Sequence, residues 1–143
     1  MKKVDLAYVA GIFDGEGCIC LRSSKRRSYT LDVSIVNTNE WLMQWLKFAF
    51  GGNCYSMQYK SNEERNWKPC WRWALASNKA MNFLELIHPY LRLKKPQADI
   101  AIKFQRARRG MGYPLTDQEL AIEEAQRIVM TKLNRRGKKQ APT

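Results

Sequence analysis

The order of hydrophobic periodicities along this 143-residue chain predicts an α+β fold, a four-stranded antiparallel sheet with helices on one face and extra helices at the C-terminal end. Three observations carry that expectation. CICLRSS and YTLDVSIVN alternate with period two, and NCYSMQYK and WKPCWRWALA repeat the pattern further on. Each pair is bridged by a short polar segment, KRRS in the first and SNEERN in the second, as sequential hairpins require. Helix-like segments precede the first pair, separate the two pairs and follow the second. The chain therefore reads α-β-β-α-β-β-α and then two more helices, one domain over residues 1–133 with a basic, uncored and disordered tail over 134–143.

Each element has its local reason. Asp5 is placed to cap a first helix from about Leu6 to Phe13, with Leu6, Val9, Ala10 and Phe13 at core spacing. Gly15 and Gly17 then permit a sharp exit. In the first strand Ile19 and Leu21 share one face, and Cys18, Cys20 and Arg22 the other. Lys25, Arg26 and Arg27 form the hairpin tip. The next strand turns Leu31, Val33 and Ile35 inward and Thr30, Asp32 and Ser34 outward. A second helix opens at a Thr38 or Asn39 cap, carries Leu42, Trp45, Leu46 and Phe50 as its apolar stripe, and stops at Gly51-Gly52. In the fourth strand Trp71, Trp73 and Leu75 face the core and Arg72 the solvent, and Pro69 suits a strand start or edge. A third helix is capped by Ser77 or Asn78 and closes before Pro89. A fourth begins near Pro96 and runs to Gly110. Thr116 and Glu119 form a capping box for a last helix ending near Leu133.

Composition narrows the function. Apolar residues make up 45% of the chain, and no apolar run approaches the ~20 residues of a membrane span. The short apolar run near the N-terminus meets two carboxylates, unlike a secretory leader, so an intracellular, non-secreted protein is expected. Lys and Arg number 25 against 13 Asp and Glu, a net charge of +12. A small domain so basic is drawn to a polyanion. Nucleic acid is the expected partner rather than a membrane, because no helix has a wholly basic polar face. The four cysteines (Cys18, Cys20, Cys54, Cys70) lack zinc-finger spacing and read as reduced and inert. His88, before Pro89, reads as a packing or capping residue. Trp45, Phe48, Phe50, Phe83 and Trp73 read as core, while Tyr55 and Tyr59 are open to sugar or phosphate.

The stretch VAGIFDGEGC (residues 9–18) poses the functional question, since an acidic pair flanked by glycines follows a helix-like run. Ala7 and Gly11, four apart and small, leave a strip where another backbone can come close. VAGIFDGEG at a helix end before a strand resembles the signature of the LAGLIDADG homing endonucleases. IVNTNEWL at the strand-to-helix junction and PYLRLKK before a helix resemble that family's later landmarks, in the same order, over residues 5 to about 105. The resemblance implies a site-specific double-strand DNA endonuclease, intron-encoded in type, whose divalent cation is Mg²⁺, or Mn²⁺, or Ca²⁺ in a non-cleaving complex. It places Glu16 and the Gly15 carbonyl as metal ligands. It places Asn37 near the metal-bound water and Lys94, with Lys95 in reserve, at the scissile phosphate. Ala7, Ala10 and Gly11 fall on the helix face that meets a partner motif. Trp41 departs from members with a basic residue there.

The chemistry agrees. Phosphodiester cleavage needs charge neutralisation and hydroxide near neutral pH, which metals held by hard oxygen ligands provide. One carboxylate is a poor metal site, so two copies of Glu16 are required. The single motif predicts a homodimer and a near-palindromic duplex target. The sheet's polar face, with Arg22, Thr30, Asp32, Ser34 and Arg72 and the Lys25-Arg26-Arg27 tip, is the expected DNA-binding surface. The competing reading is a binding module or RNA maturase of the same fold, which holds nucleic acid without metal and does not cut DNA.

Overall fold

In a computed structural model, residues 1–24, 28–58, 65–110 and 112–135 are described. The expected hairpin tip at Lys25, Arg26 and Arg27, Tyr59, and residues 136–143 of the expected tail lie outside them. The elements are α1 (Lys3–Glu16), β1 (Gly17–Ser23), β2 (Tyr29–Asn37), α2 (Glu40–Phe50), β3 (Asn53–Met57) and β4 (Cys70–Ala76). Then come α3 (Ser77–Ile87), a 3-10 turn (His88–Tyr90), α4 (Lys95–Arg106) and α5 (Asp117–Asn134). The sheet is antiparallel with order β1-β2-β4-β3, so the two predicted hairpins join through β2 and β4. No helix among the described residues is long and apolar enough to cross a membrane.

The period-two reading holds on the core face. Ile19, Leu21, Leu31, Val33, Ile35, Trp73 and Leu75 are buried there beneath the helices. Against them sits an aromatic cluster, Phe13, Phe50, Trp73 and Phe83, with edge-on contacts at ring separations of 4.9 to 5.4 Å and one tilted pair at 6.1 Å. Such geometry aligns ring edges with ring faces and adds to the area buried. The Trp73 indole N–H donates to the Gly51 carbonyl at 2.8 Å, so the buried ring leaves no polar atom unpaired.

Several local expectations change. The first helix starts at Lys3, so Asp5 lies inside its first turn, where a carboxylate suits the helix dipole, rather than capping it. It also runs on to Glu16, so Asp14, Gly15 and Glu16 form its last turn. Gly17 then leaves directly into β1 with extended backbone. Asn39, not Thr38, caps α2, accepting from the Leu42 amide at 2.9 Å. Neither Ser77 nor Asn78 caps α3; the chain turns at Ser77, whose φ is +52°. α4 ends at Arg106, four residues before Gly110. Phe48, expected in the core, is 89% exposed, because α2 buries Met43 and Leu46 and turns Trp41, Gln44 and Phe48 outward. The Thr116–Glu119 capping box forms as expected.

The C-terminal helix has a defined seat. Asn134 Nδ2 donates to the Ile19 carbonyl on edge strand β1 at 2.7 Å. Arg108 pairs with the buried Glu123 at 2.8 Å and also reaches the Tyr29 carbonyl. The Tyr29 hydroxyl donates to Glu124, which Arg127 holds as well. These contacts cover an edge otherwise open to strand pairing.

Candidate functional site

The end of α1 is tied to the loop before α4 by one carboxylate. Asp14 accepts the backbone N–H groups of Arg92 at 2.8 Å, Leu93 at 3.1 Å and Lys94 at 3.0 Å. Lys94 answers with its ammonium, which donates to the Asp14 carbonyl at 2.7 Å. Of the acidic pair, Asp14 is therefore the structural member. It brings the basic segment PYLRLKK against the helix end, across 80 residues of sequence.

Glu16, two residues on, is exposed. Its Oε2 accepts from Asn37 Nδ2 at 2.7 Å. Asn37 is itself pinned, because its Oδ1 accepts the Asn39 amide at 2.8 Å within the strand-to-helix junction. Among the described residues the other Glu16 oxygen takes no hydrogen bond or ion pair, and Glu16 lines an apolar groove of about 610 Å³ with Ala7, Tyr8, Gly11, Ile12, Gly15, Asn37 and Leu42. Lys95, with Arg92, lines a groove on the opposite flank of Ala7 and Gly11. Glu16, Asn37 and Lys94 thus all gather at the end of α1.

The glycines sort by what surrounds them. A Cβ at Gly17 would meet the Phe13 ring at 2.4 Å and the Phe13 carbonyl oxygen at 2.5 Å, so packing demands glycine there. At Gly11 and Gly15 nothing lies within 4 Å. Both are helical and exposed, where glycine costs about 1 kcal/mol relative to alanine with no gain inside this chain. Ala7 continues that open strip. Ala10 does not: it is fully buried in its own core, because it lies on the helix face shared with Phe13.

As a metal centre, one copy offers a single free carboxylate. No group of three or more His, Cys, Asp or Glu side chains suitable for a metal occurs among the described residues. Glu16 with the Gly15 carbonyl is a hard oxygen donor pair suited to Mg²⁺, though too small to hold it alone. The donor set fits the ion only when doubled.

The sheet's open face carries the other expected residues. Arg22, Thr30 and Arg72 lie there, Arg22 with a side chain 62% exposed. Asp32 and Ser34 share the face but are buried rather than presented outward. Two guanidinium groups fold over Asp32, Arg22 Nε at 3.4 Å and Arg72 Nη2 at 3.5 Å, while Cys18 and Ala74 flank Ser34 on the neighbouring strands. Neither is available for outside contact. Tyr55 on β3, level with Arg72, is 48% exposed on the same face. The four cysteines are free thiols, as expected, and a hydrogen bond from Cys20, aided by Arg72 and Lys94, lowers the Cys18 pKa to about 6 while the Cys20 thiol is raised in turn. His88 contacts Asp99 at 2.6 Å, away from this site.

The order α-β-β-α-β-β-α around a four-stranded antiparallel sheet is the fold of solved homing endonucleases. No protein-family model and no curated protein matches the chain. Among solved structures it resembles the homing endonuclease I-CvuI in complex with its target in the presence of Ca, at 19% identity over 97% of this chain and 87% of that one, with a TM-score of 0.70. It also resembles the archaeal intron-encoded homing endonuclease I-Vdi141I complexed with DNA, at 16% identity over 99% and 91% of the two chains, TM-score 0.77. I-SmaMI bound to an uncleaved DNA target with calcium ions gives 18% identity and a TM-score of 0.68; there this chain spans 45% of the other. At such identities the likeness is one of fold.

Proposed function

We propose that this chain is a homing endonuclease of the LAGLIDADG type, a homodimeric, metal-dependent enzyme that cuts both strands of a long near-palindromic DNA duplex. The observation that supports this reading most is the gathering of Glu16, Asn37 and Lys94 at one helix end, beside an exposed strip of Ala7, Gly11 and Gly15. Two helices meeting along that strip bring two Glu16 carboxylates together, which resolves both the shortage of ligands and the unexplained glycines.

Within that reading each side chain has a task. Glu16 and the Gly15 carbonyl would hold the cation, and Asn37 fixes the carboxylate by its 2.7 Å hydrogen bond. A divalent cation bound there would supply charge neutralisation at the attacked phosphate and make a nearby water easier to deprotonate. Lys94 presents its ammonium beside the site, where positive charge stabilises the phosphate as charge builds on it. The +12 net charge draws DNA to the protein, and the open sheet face meets the groove.

The test is cleavage of a randomised duplex library by the purified protein, with Mg²⁺ and separately with EDTA. Unique near-palindromic products that require Mg²⁺ are expected. Duplex retained specifically but never cut would replace the enzyme with a binding module. Retention of structured RNA alone would favour a maturase.

A further inference from the structure

The open face of β1, β2 and β4 carries one acidic residue among its described positions, and its burial is unexpected. Asp32 is 4% exposed on an interior strand, with Arg22 and Arg72 converging on the same Oδ2 from the strands on either side. The two arginines are not equivalent. Arg72 is 29% exposed, spends Nη2 on the carboxylate, and has a buried Nε with no partner among the described residues. Arg22 pairs through Nε and is 62% exposed, and among the described residues its two terminal nitrogens have no hydrogen-bond partner.

That arrangement selects a ligand. A guanidinium held by its side leaves the end-on pair of N–H donors that matches two acceptors in a plane. Asp32 offsets part of the two guanidinium charges, which weakens the pull on phosphate relative to an unpaired arginine and leaves the planar donor pair as the selective feature. Guanine presents O6 and N7 side by side in the major groove without net charge. Cytosine would need a free acceptor, and Asp32, covered by its two arginines, offers none.

Resting on the nucleic-acid reading above, we infer that Arg22 is a specificity-determining residue that reads a guanine in each half of the target. Asp32 and Arg72 are the positioning residues that hold its guanidinium fixed. The ion pair with Asp32 biases Arg22's rotamers before DNA arrives, so the donor pair favours one acceptor position over displaced ones.

The experiment is selection of bound duplexes from a randomised library with EDTA in place of Mg²⁺, for the full chain and two variants. The wild type should select guanine at one symmetric pair of positions, by roughly 10- to 100-fold over other bases. Arg22→Gln, at an exposed position, should convert that position alone to adenine, whose N6 and N7 suit a carboxamide. Asp32→Asn should still bind but lose most of the guanine preference there. A uniform loss of affinity in Arg22→Gln with unchanged base choice would make Arg22 a phosphate contact and overturn the inference. Full guanine preference in Asp32→Asn would overturn the positioning role. If the wild type selects guanine nowhere but still selects a sequence, this inference fails and DNA recognition stands. If it retains no duplex, the proposed function fails with it.

Discussion

Replacing Asp14 with alanine removes three hydrogen bonds at once, to the amides of Arg92, Leu93 and Lys94. A net contribution of about 1 kcal/mol per bond, reduced because water reaches the half-buried carboxylate, gives a loss of about 2–3 kcal/mol. For a chain of this length that lowers Tm by about 7–10 °C. Asp14→Asn should fall between, since Oδ1 serves Leu93 and Lys94 while Oδ2 alone serves Arg92. The bond from the Lys94 ammonium runs to the Asp14 backbone carbonyl and survives both substitutions. Lys94 is then loosely placed rather than lost, so cleavage should slow by up to about 100-fold with DNA affinity nearly unchanged. Thermal melts followed by circular dichroism, together with single-turnover cleavage, check both parts. A melt within about 2 °C of wild type would show that the loop is held by its other contacts and that Asp14 is not its anchor.

Glu16→Gln should abolish cleavage while leaving duplex affinity near wild type; cutting at the wild-type rate would remove Glu16 from the site. Gly17→Ala should cost about 3 kcal/mol, because the added methyl meets a ring that is itself fully buried. Gly11→Ala should instead stabilise the isolated helix by about 1 kcal/mol and weaken self-association, a split that ultracentrifugation and melting at two concentrations resolve. Hydrogen bonds from Arg127 and Tyr29 hold the Glu124 carboxyl down to about 2 from its ordinary 4.5. The sign follows: this contribution is present above about 4.5 and lost as pH falls toward about 2. Glu124→Gln should therefore melt below wild type at pH 7, with the gap closing across that window.

The parts of this protein legible in its sequence rest on contacts between near neighbours. Period-two alternation in β1, β2 and β4 decides which face is buried, because successive side chains of a strand point to opposite sides. The Thr116–Glu119 box is satisfied within one helical turn and needs nothing from elsewhere. The motif resemblance implies that Glu16, Asn37 and Lys94 belong together, and they do lie at one helix end, while their chemical roles rest on the proposed function.

What tertiary structure decided lies where partners come from far along the chain. Asp14 finds its amides 78 to 80 residues away, and no local pattern fixes that the helix extends through Glu16 to point the two carboxylates apart. Asp32 follows the outward alternation correctly, yet becomes buried because arginines from two other strands fold over it. Phe48 fails because period shows that a helix has two faces, but the surrounding elements decide which face they cover; Ala10 is core as its spacing predicts, against the interface position that the resemblance implies. Sequence alone therefore determined the elements, their order and the residues able to do chemistry. Only the packing of distant segments decided which of those residues face solvent and which are held to position another.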